Sequence, residues 1–159
     1  MRKQLHEEFL NIVIELNKLH ITPLLLGSLG LEKVTGKSWQ ASDIDIYLIN
    51  EDVLDKQYDQ IHKILINSKY EKLNTEDMAY IKDDFKVEYR SFLDFQNLVK
   101  IDKEKFDLVK TEGARYFLPT KKQFFYIYRS AVDDKKRQHK NHKDVEKLNY
   151  LKEMGDNKK

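Results

Sequence analysis

Two aspartates, Asp43 and Asp45, stand in the segment SDIDIYLI, alternating with Ile44 and Ile46. In a strand, residues two apart project from the same face, about 6.6–6.8 Å apart along the chain. The two carboxylates then point together while the isoleucines pack on the other side. Like charges side by side repel, and the arrangement is tolerable where a divalent cation lies between them. Oxygen ligands of this kind suit Mg2+, with Mn2+ as a substitute, and Mg2+ readily binds substrate phosphates as well. The plainer alternative is that Asp43 caps the strand while Asp45 pairs with a lysine.

Upstream, the apolar run Leu24-Leu25-Leu26 ends at Gly27-Ser28. A Gly-Ser turn that opens a helix offers backbone N–H groups and the positive end of the helix dipole to a phosphate. Gly27 allows close backbone approach, and Ser28 adds a hydroxyl. The same pair also suits an ordinary turn, with Ser28 capping a helix over 29–35 and Gly36 stopping it. A phosphate cradle joined to a carboxylate pair is the outline of a nucleotide site.

The elements that position these groups follow from periodicity. Leu5, Phe9, Ile12, Val13, Leu16 and Leu19 recur at helical spacing, so a first amphipathic helix is expected, stopped at Pro23. Strands are expected over 24–26 and 43–49. Between them lies the loop GKSWQAS, in which Trp39 either stacks on a base or anchors its own loop. A helix starting at Asn50-Glu51-Asp52 would turn Leu54, Tyr58, Ile61 and Leu65 inward. MAYIK and FKVEYRSF read as a hairpin turning at Asp83-Asp84, the second strand alternating Phe85, Val87, Tyr89 with Lys86, Glu88, Arg90. From Leu93 onward the pattern reads as helical, interrupted near Gly113 and Pro119, and ends in two helices over KKQFFYIYRSAV and NHKDVEKLNYLKEM. This order predicts an α+β domain with a helical C-terminal part: a core over 1–92 and a helical extension over 93–159 packed on it.

The 159 residues are 40% hydrophobic and 35% charged, enough for one domain with a real core. The net charge of +2 is unevenly spread, with twelve Lys or Arg against six Asp or Glu over 121–159. That excess suits a nucleotide phosphate or a polyanion, and equally a solvated helix surface. The absence of cysteine excludes disulfides, a thiolate metal site and a cysteine nucleophile. No apolar run approaches a membrane span, and the N-terminus lacks a signal-peptide pattern, so a soluble cytoplasmic protein without membrane contact is expected. His139 and His142 are three apart but have no third nitrogen ligand nearby in sequence, and read as surface residues. Phe124, Phe125, Tyr126 and Tyr128 beside basic residues suit either a core face or stacking on nucleic acid.

The Gly27-Ser28 turn, an intervening helix and Asp43-x-Asp45 on the next strand resemble the signature of the DNA polymerase beta-type nucleotidyltransferase superfamily, which includes the minimal and small antibiotic nucleotidyltransferases. The resemblance covers 21–92 and extends more loosely through the last two helices. Leu26 stands where many members have a first glycine, and the spacer between Ser28 and Asp43 is long for the pattern.

The resemblance implies a nucleotidyltransferase-like mixed sheet flanked by helices. It implies transfer of a nucleoside monophosphate from an NTP, such as ATP, to an acceptor, with release of pyrophosphate. Asp43 and Asp45 would hold Mg2+, and Glu88, on a later adjacent strand, matches the third acid better than Asp83 or Asp84 at the hairpin tip. Glu88 would complete the metal site or serve as general base. Gly27 and Ser28 would hold the β- and γ-phosphates. Among the C-terminal basic residues, which include Arg137, Lys143 is the one that echoes the family's tail. A small-molecule acceptor is favoured. The alternatives are an RNA or protein acceptor, as in toxin–antitoxin members, and a relative that binds a nucleotide or a partner without turnover.

Overall fold

The computed structural model describes residues 3–49, 52–92, 105–133 and 141–156. The first helix, α1 (Lys3–Lys18), buries Leu5, Phe9, Ile12, Val13 and Leu16, the stripe that its periodicity marks. Pro23 does not end it. The chain leaves the helix at His20, whose left-handed φ of 64° follows the Leu19 N–H bond to the Leu16 carbonyl. Pro23 instead begins the next ladder, its carbonyl accepting from the Phe117 N–H at 2.7 Å.

β1 (Leu24–Leu26) is wholly buried and runs directly into α2 (Gly27–Thr35), which ends at Gly36. β2 (Asp43–Leu48) follows the loop. The helical segment after it is broken at Gln57 into α3 (Val53–Lys56) and α4 (Tyr58–Asn67). Ile61 and Leu65 are buried as expected, joined by Val53 and Ile64, while Tyr58 is exposed. The expected start at Asn50 and Glu51 lies outside the described residues. A two-residue strand, β3 (Glu71–Lys72), precedes the expected hairpin of β4 (Met78–Lys82) and β5 (Phe85–Ser91). Asp83, at φ 53°, forms the tip of that hairpin.

The helical reading from Leu93 onward fails over 107–118. There β6 (Asp107–Thr111) and β7 (Ala114–Leu118) form a second hairpin. Its loop residues Glu112 and Gly113 both have left-handed φ, 49° and 82°, as a two-residue type I′ loop requires. Gly113 is therefore a turn residue rather than a helix interruption. The buried set Ala114, Tyr116 and Leu118 has strand period two. Residues 93–104 of the same expectation lie outside the described ones. The two final helices form as expected, α5 (Lys121–Asp133) and α6 (Asn141–Asp156), packed on each other.

All seven strands make one mixed sheet in the order β3-β4-β5-β2-β1-β7-β6. The sheet thus draws its last two strands from beyond residue 92, and the α+β architecture with flanking helices is observed. α1 packs against β7 and β2 on one face, where Phe9 meets Tyr116 edge-on at 4.8 Å. Ile44, Ile46, Val87 and Tyr89 are buried, and the Tyr89 hydroxyl donates to the Ile61 carbonyl of α4 at 3.1 Å. α2, with α5 and α6 beyond it, covers the β1 end of the opposite face. Gly30 is where α2 presses closest: a Cβ there would lie 3.0 Å from the Leu25 carbonyl oxygen and 3.1 Å from the Phe124 ring. Among the described residues no helix is long and apolar enough to cross a membrane.

Candidate nucleotide and metal site

Strand alternation sends Asp43, Asp45 and Tyr47 to the face opposite Ile44, Ile46 and Leu48. β2 and β5 run parallel, pairing Asp43 with Lys86, Asp45 with Glu88 and Tyr47 with Arg90. Neighbouring strands lie about 4.8 Å apart and in-register residues share a face. The three acids expected to act together are therefore gathered on one face, although Glu88 is remote in sequence. Asp83 and Asp84 stay at the hairpin tip.

Glu88 is buried at 7% exposure and receives a fork from its own strand: Arg90 Nε and Nη2 reach Glu88 Oε2 at 2.6 and 2.5 Å. Burial pushes the Arg90 guanidinium pKa down. Tyr47, Glu88 and Asp45 push it up by more, so its pKa is raised and the side chain stays cationic.

β1 pairs antiparallel with β2, Leu26 opposite Asp45, so the turn after Leu26 arrives beside that carboxylate. Gly27 has φ 72°, and a Cβ there would lie 2.4 Å from Asp45 Oδ2. Only glycine fits this contact between a helix N-terminus and a carboxylate. α2 is capped at Leu26 and begins at Gly27, so Ser28 is its second residue rather than the expected cap. Its Oγ instead accepts from Lys147 Nζ at 2.7 Å, which ties α6 to the turn. Lys147 lies over the Tyr128 ring as well, 5.3 Å from its centroid.

These groups line a cleft of about 530 Å³ with Asp43, Asp45, Lys143, Asp144 and Trp39. Lys143 is exposed at its rim. Asp144 is buried at 1% exposure. His142 is exposed, as expected of a surface residue, while His139 and Arg137 lie outside the described residues. Phe124 and Tyr128 belong to the core, while Phe125 is half-buried and Tyr126 is exposed.

Sequence reasoning passed over Glu32, which is buried at 1% exposure on α2. Its Oε2 accepts from the Trp39 N–H at 2.8 Å and the Ala41 N–H at 3.1 Å, fixing the loop that delivers Asp43. Glu32 lies four residues after Ser28, on the same helix face, which is the one signal the sequence offered. Trp39 is anchored in that loop. Its indole N–H donates to Thr35 Oγ1, its ring meets Tyr150 edge-on at 5.3 Å, and Lys37 Nζ lies 4.3 Å from its centroid. Replacing Glu32 with Ala leaves two loop N–H groups without their charged acceptor and should cost about 2–4 kcal/mol. Glu32→Gln keeps one acceptor oxygen and should cost less. Chemical denaturation checks both, and a near-native Glu32→Ala would mean the loop is held by other contacts.

The oxygen chemistry suits a hard cation: two carboxylates on one face of β2, with the Gly27 backbone close against Asp45. Among the described residues no three acids or histidines are already gathered into a metal cage, and Glu88 is engaged by Arg90. Asp43 and Asp45 are the carboxylates that could hold such a cation, with Glu88 in register on the neighbouring strand.

No protein-family profile matches the chain. It is 34% identical over 153 residues to the uncharacterized protein YnaI of Bacillus subtilis strain 168, spanning 95% of this chain and 97% of that one. Among solved structures it resembles an antigenic nucleotidyltransferase-like protein of Paracoccidioides brasiliensis, with a TM-score of 0.61 and 14% identity over 94% of this chain and 76% of that chain. It also resembles the antibiotic-resistance factor ANT(2'')-Ia, with a TM-score of 0.51 and 10% identity over 99% and 94% of the two chains. A structure of ANT(2'')-Ia with adenylyl-2''-tobramycin matches at a TM-score of 0.50 and 10% identity, over 93% and 94%. The chain belongs to the same family as YnaI and has the nucleotidyltransferase fold.

Proposed function

We propose that the protein is a metal-dependent nucleotidyltransferase that moves a nucleoside monophosphate from an NTP to a hydroxyl of a small-molecule acceptor, releasing pyrophosphate. The observation that carries this reading is the placement of Asp43 and Asp45 on one face of β2, with Gly27 against the Asp45 carboxylate and Glu88 in register on β5.

Asp43 and Asp45 would hold Mg2+, which when bound neutralises phosphate charge and polarises the reacting phosphoryl group. The N-terminus of α2, the Ser28 hydroxyl and Lys147 bind and orient the β- and γ-phosphates. Lys143 at the rim adds a further positive charge for the leaving pyrophosphate. Glu88 accepts the proton of the acceptor hydroxyl as its oxygen bonds to the α-phosphorus. The bond from the α-phosphorus to its bridging oxygen breaks, and pyrophosphate leaves with that electron pair. The complex of ANT(2'')-Ia with adenylyl-2''-tobramycin supports a small molecule as the acceptor class.

The test is a melting curve with each NTP and Mg2+ or Mn2+, followed by transfer from labelled NTP. A ligand at a hundredfold excess over its Kd adds about 2.7 kcal/mol, a rise of roughly 5–10 °C for a chain of this size. Asp45→Asn should remove most of that rise. No response of the wild type to any NTP with either metal would overturn the proposal.

A further inference from the structure

We propose that Arg90, assisted by Lys86, forms the acceptor subsite and selects a hydroxyl compound that carries an oxyanion, a phosphate or carboxylate, near its reacting hydroxyl. This rests on the nucleotidyl-transfer reading and names its acceptor class.

The nucleotide-binding groups all lie on the β1 side of the aspartates: Gly27, Ser28 and, from α6, Lys147. An acceptor that meets Glu88 therefore enters over β5 and β4. On that flank Lys86 and Arg90 stand two residues either side of Glu88 on the same face. The flank is open at its two ends: the Arg90 side chain is 48% exposed, and Ile81, in register with Lys86, is 39% exposed, while Ala79, in register with Glu88, is buried.

A guanidinium has five N–H donors. Arg90 spends Nε and Nη2 on a single Glu88 oxygen, and Glu88 is its only hydrogen-bonded partner among the described residues. Donors remain for an incoming oxyanion, and the planar fork matches both phosphate and carboxylate. Any ammonium group approaching Glu88 from this flank meets the cations of Arg90, held by Glu88, and Lys86, which disfavours a polycationic amino sugar. Residues two apart on a strand are about 6.6–6.8 Å apart. The oxyanion and the reacting hydroxyl must then be separated by only a few bonds, as in a polyol phosphate or a hydroxy acid.

The experiment titrates glycerol 3-phosphate, glycerate and tobramycin calorimetrically into the protein saturated with a non-hydrolysable NTP analogue and Mg2+. The expected result is binding of one or both oxyanions and none of tobramycin, with R90Q weakening the oxyanion at least tenfold and K86Q less. Which of the two oxyanions binds more tightly separates phosphate from carboxylate recognition. Preferred binding of tobramycin, binding of neither oxyanion, or oxyanion binding unaltered by R90Q and K86Q overturns the assignment. Failure of the wild type to bind the NTP analogue at all overturns the underlying reading instead.

Discussion

Asp43→Asn is expected to lower pyrophosphate release by about a thousandfold or more while leaving the fold intact. Asp43 is exposed at the start of β2, where its Oδ1 accepts a 3.3 Å hydrogen bond from the Ser42 hydroxyl. Exposed substitutions of this kind usually change stability by no more than about 0.5 kcal/mol. The function of the residue lies elsewhere. In the proposed reaction nucleotide affinity would draw on several groups at once: the α2 N-terminus, the Ser28 hydroxyl, Lys147 and Lys143. Stabilising charge at the reacting phosphoryl group would depend more narrowly on the paired carboxylates. Losing one negative donor removes several kcal/mol of that stabilisation, and about 4 kcal/mol corresponds to a thousandfold in rate. The measurement is pyrophosphate release, alongside NTP binding and circular dichroism for wild type and variant. Unaltered turnover in Asp43→Asn would mean the reaction occurs at another site. A wild type that binds NTP and turns over no acceptor would mark a binding protein.

How much of this was legible in the sequence varied with the range of the interaction concerned. Asp43 and Asp45 could be placed because strand alternation is local: Ile44 and Ile46 declare the buried face, and the acids must take the other. Glu88 could be assigned a strand face in the same way, from Phe85, Val87 and Tyr89. Its position beside Asp45 rather than Asp43 depends on parallel pairing between β2 and β5, and the local pattern did not carry that register.

The same limit applies to α6. The sequence singles out Lys143 by its resemblance to the family's tail. The lysine that reaches Ser28 is Lys147, one turn further on, because the rotation of α6 is set by its packing on α5. Glu32 reads as one more charged residue of a short helix until the loop folds back and places two N–H groups against it. The hairpin of β6 and β7 was missed for a different reason. Glu112-Gly113 is a good two-residue turn, but Gly113 also reads as a break between helical segments. Only the partner strand β1, remote in sequence, decides between the two readings.

Gly27→Ala is expected to cost activity out of proportion to its size. Two independent effects meet at this residue. Its φ of 72° lies where an L side chain costs about 1–2 kcal/mol. The added methyl would also sit 2.4 Å from Asp45 Oδ2, so one of the two must move. The backbone is held by α2 on one side and by the β1–β2 ladder on the other, whereas the carboxylate can rotate about its own side-chain bonds. Asp45 is therefore the group that yields, and it turns away from the position in which it would share a cation with Asp43. A displacement of about 1 Å at a reacting centre can cost about a hundredfold. The predicted pattern is a modest fall in melting temperature, a fall in turnover of about a hundredfold or more, and a weakened response of the melting temperature to Mg2+ with NTP. Asp45→Asn combined with Gly27→Ala should be scarcely slower than Asp45→Asn alone, because both changes remove the same carboxylate from the site. Additive losses in the double variant would mean that Gly27 acts on the phosphates through its own backbone rather than by making room for Asp45.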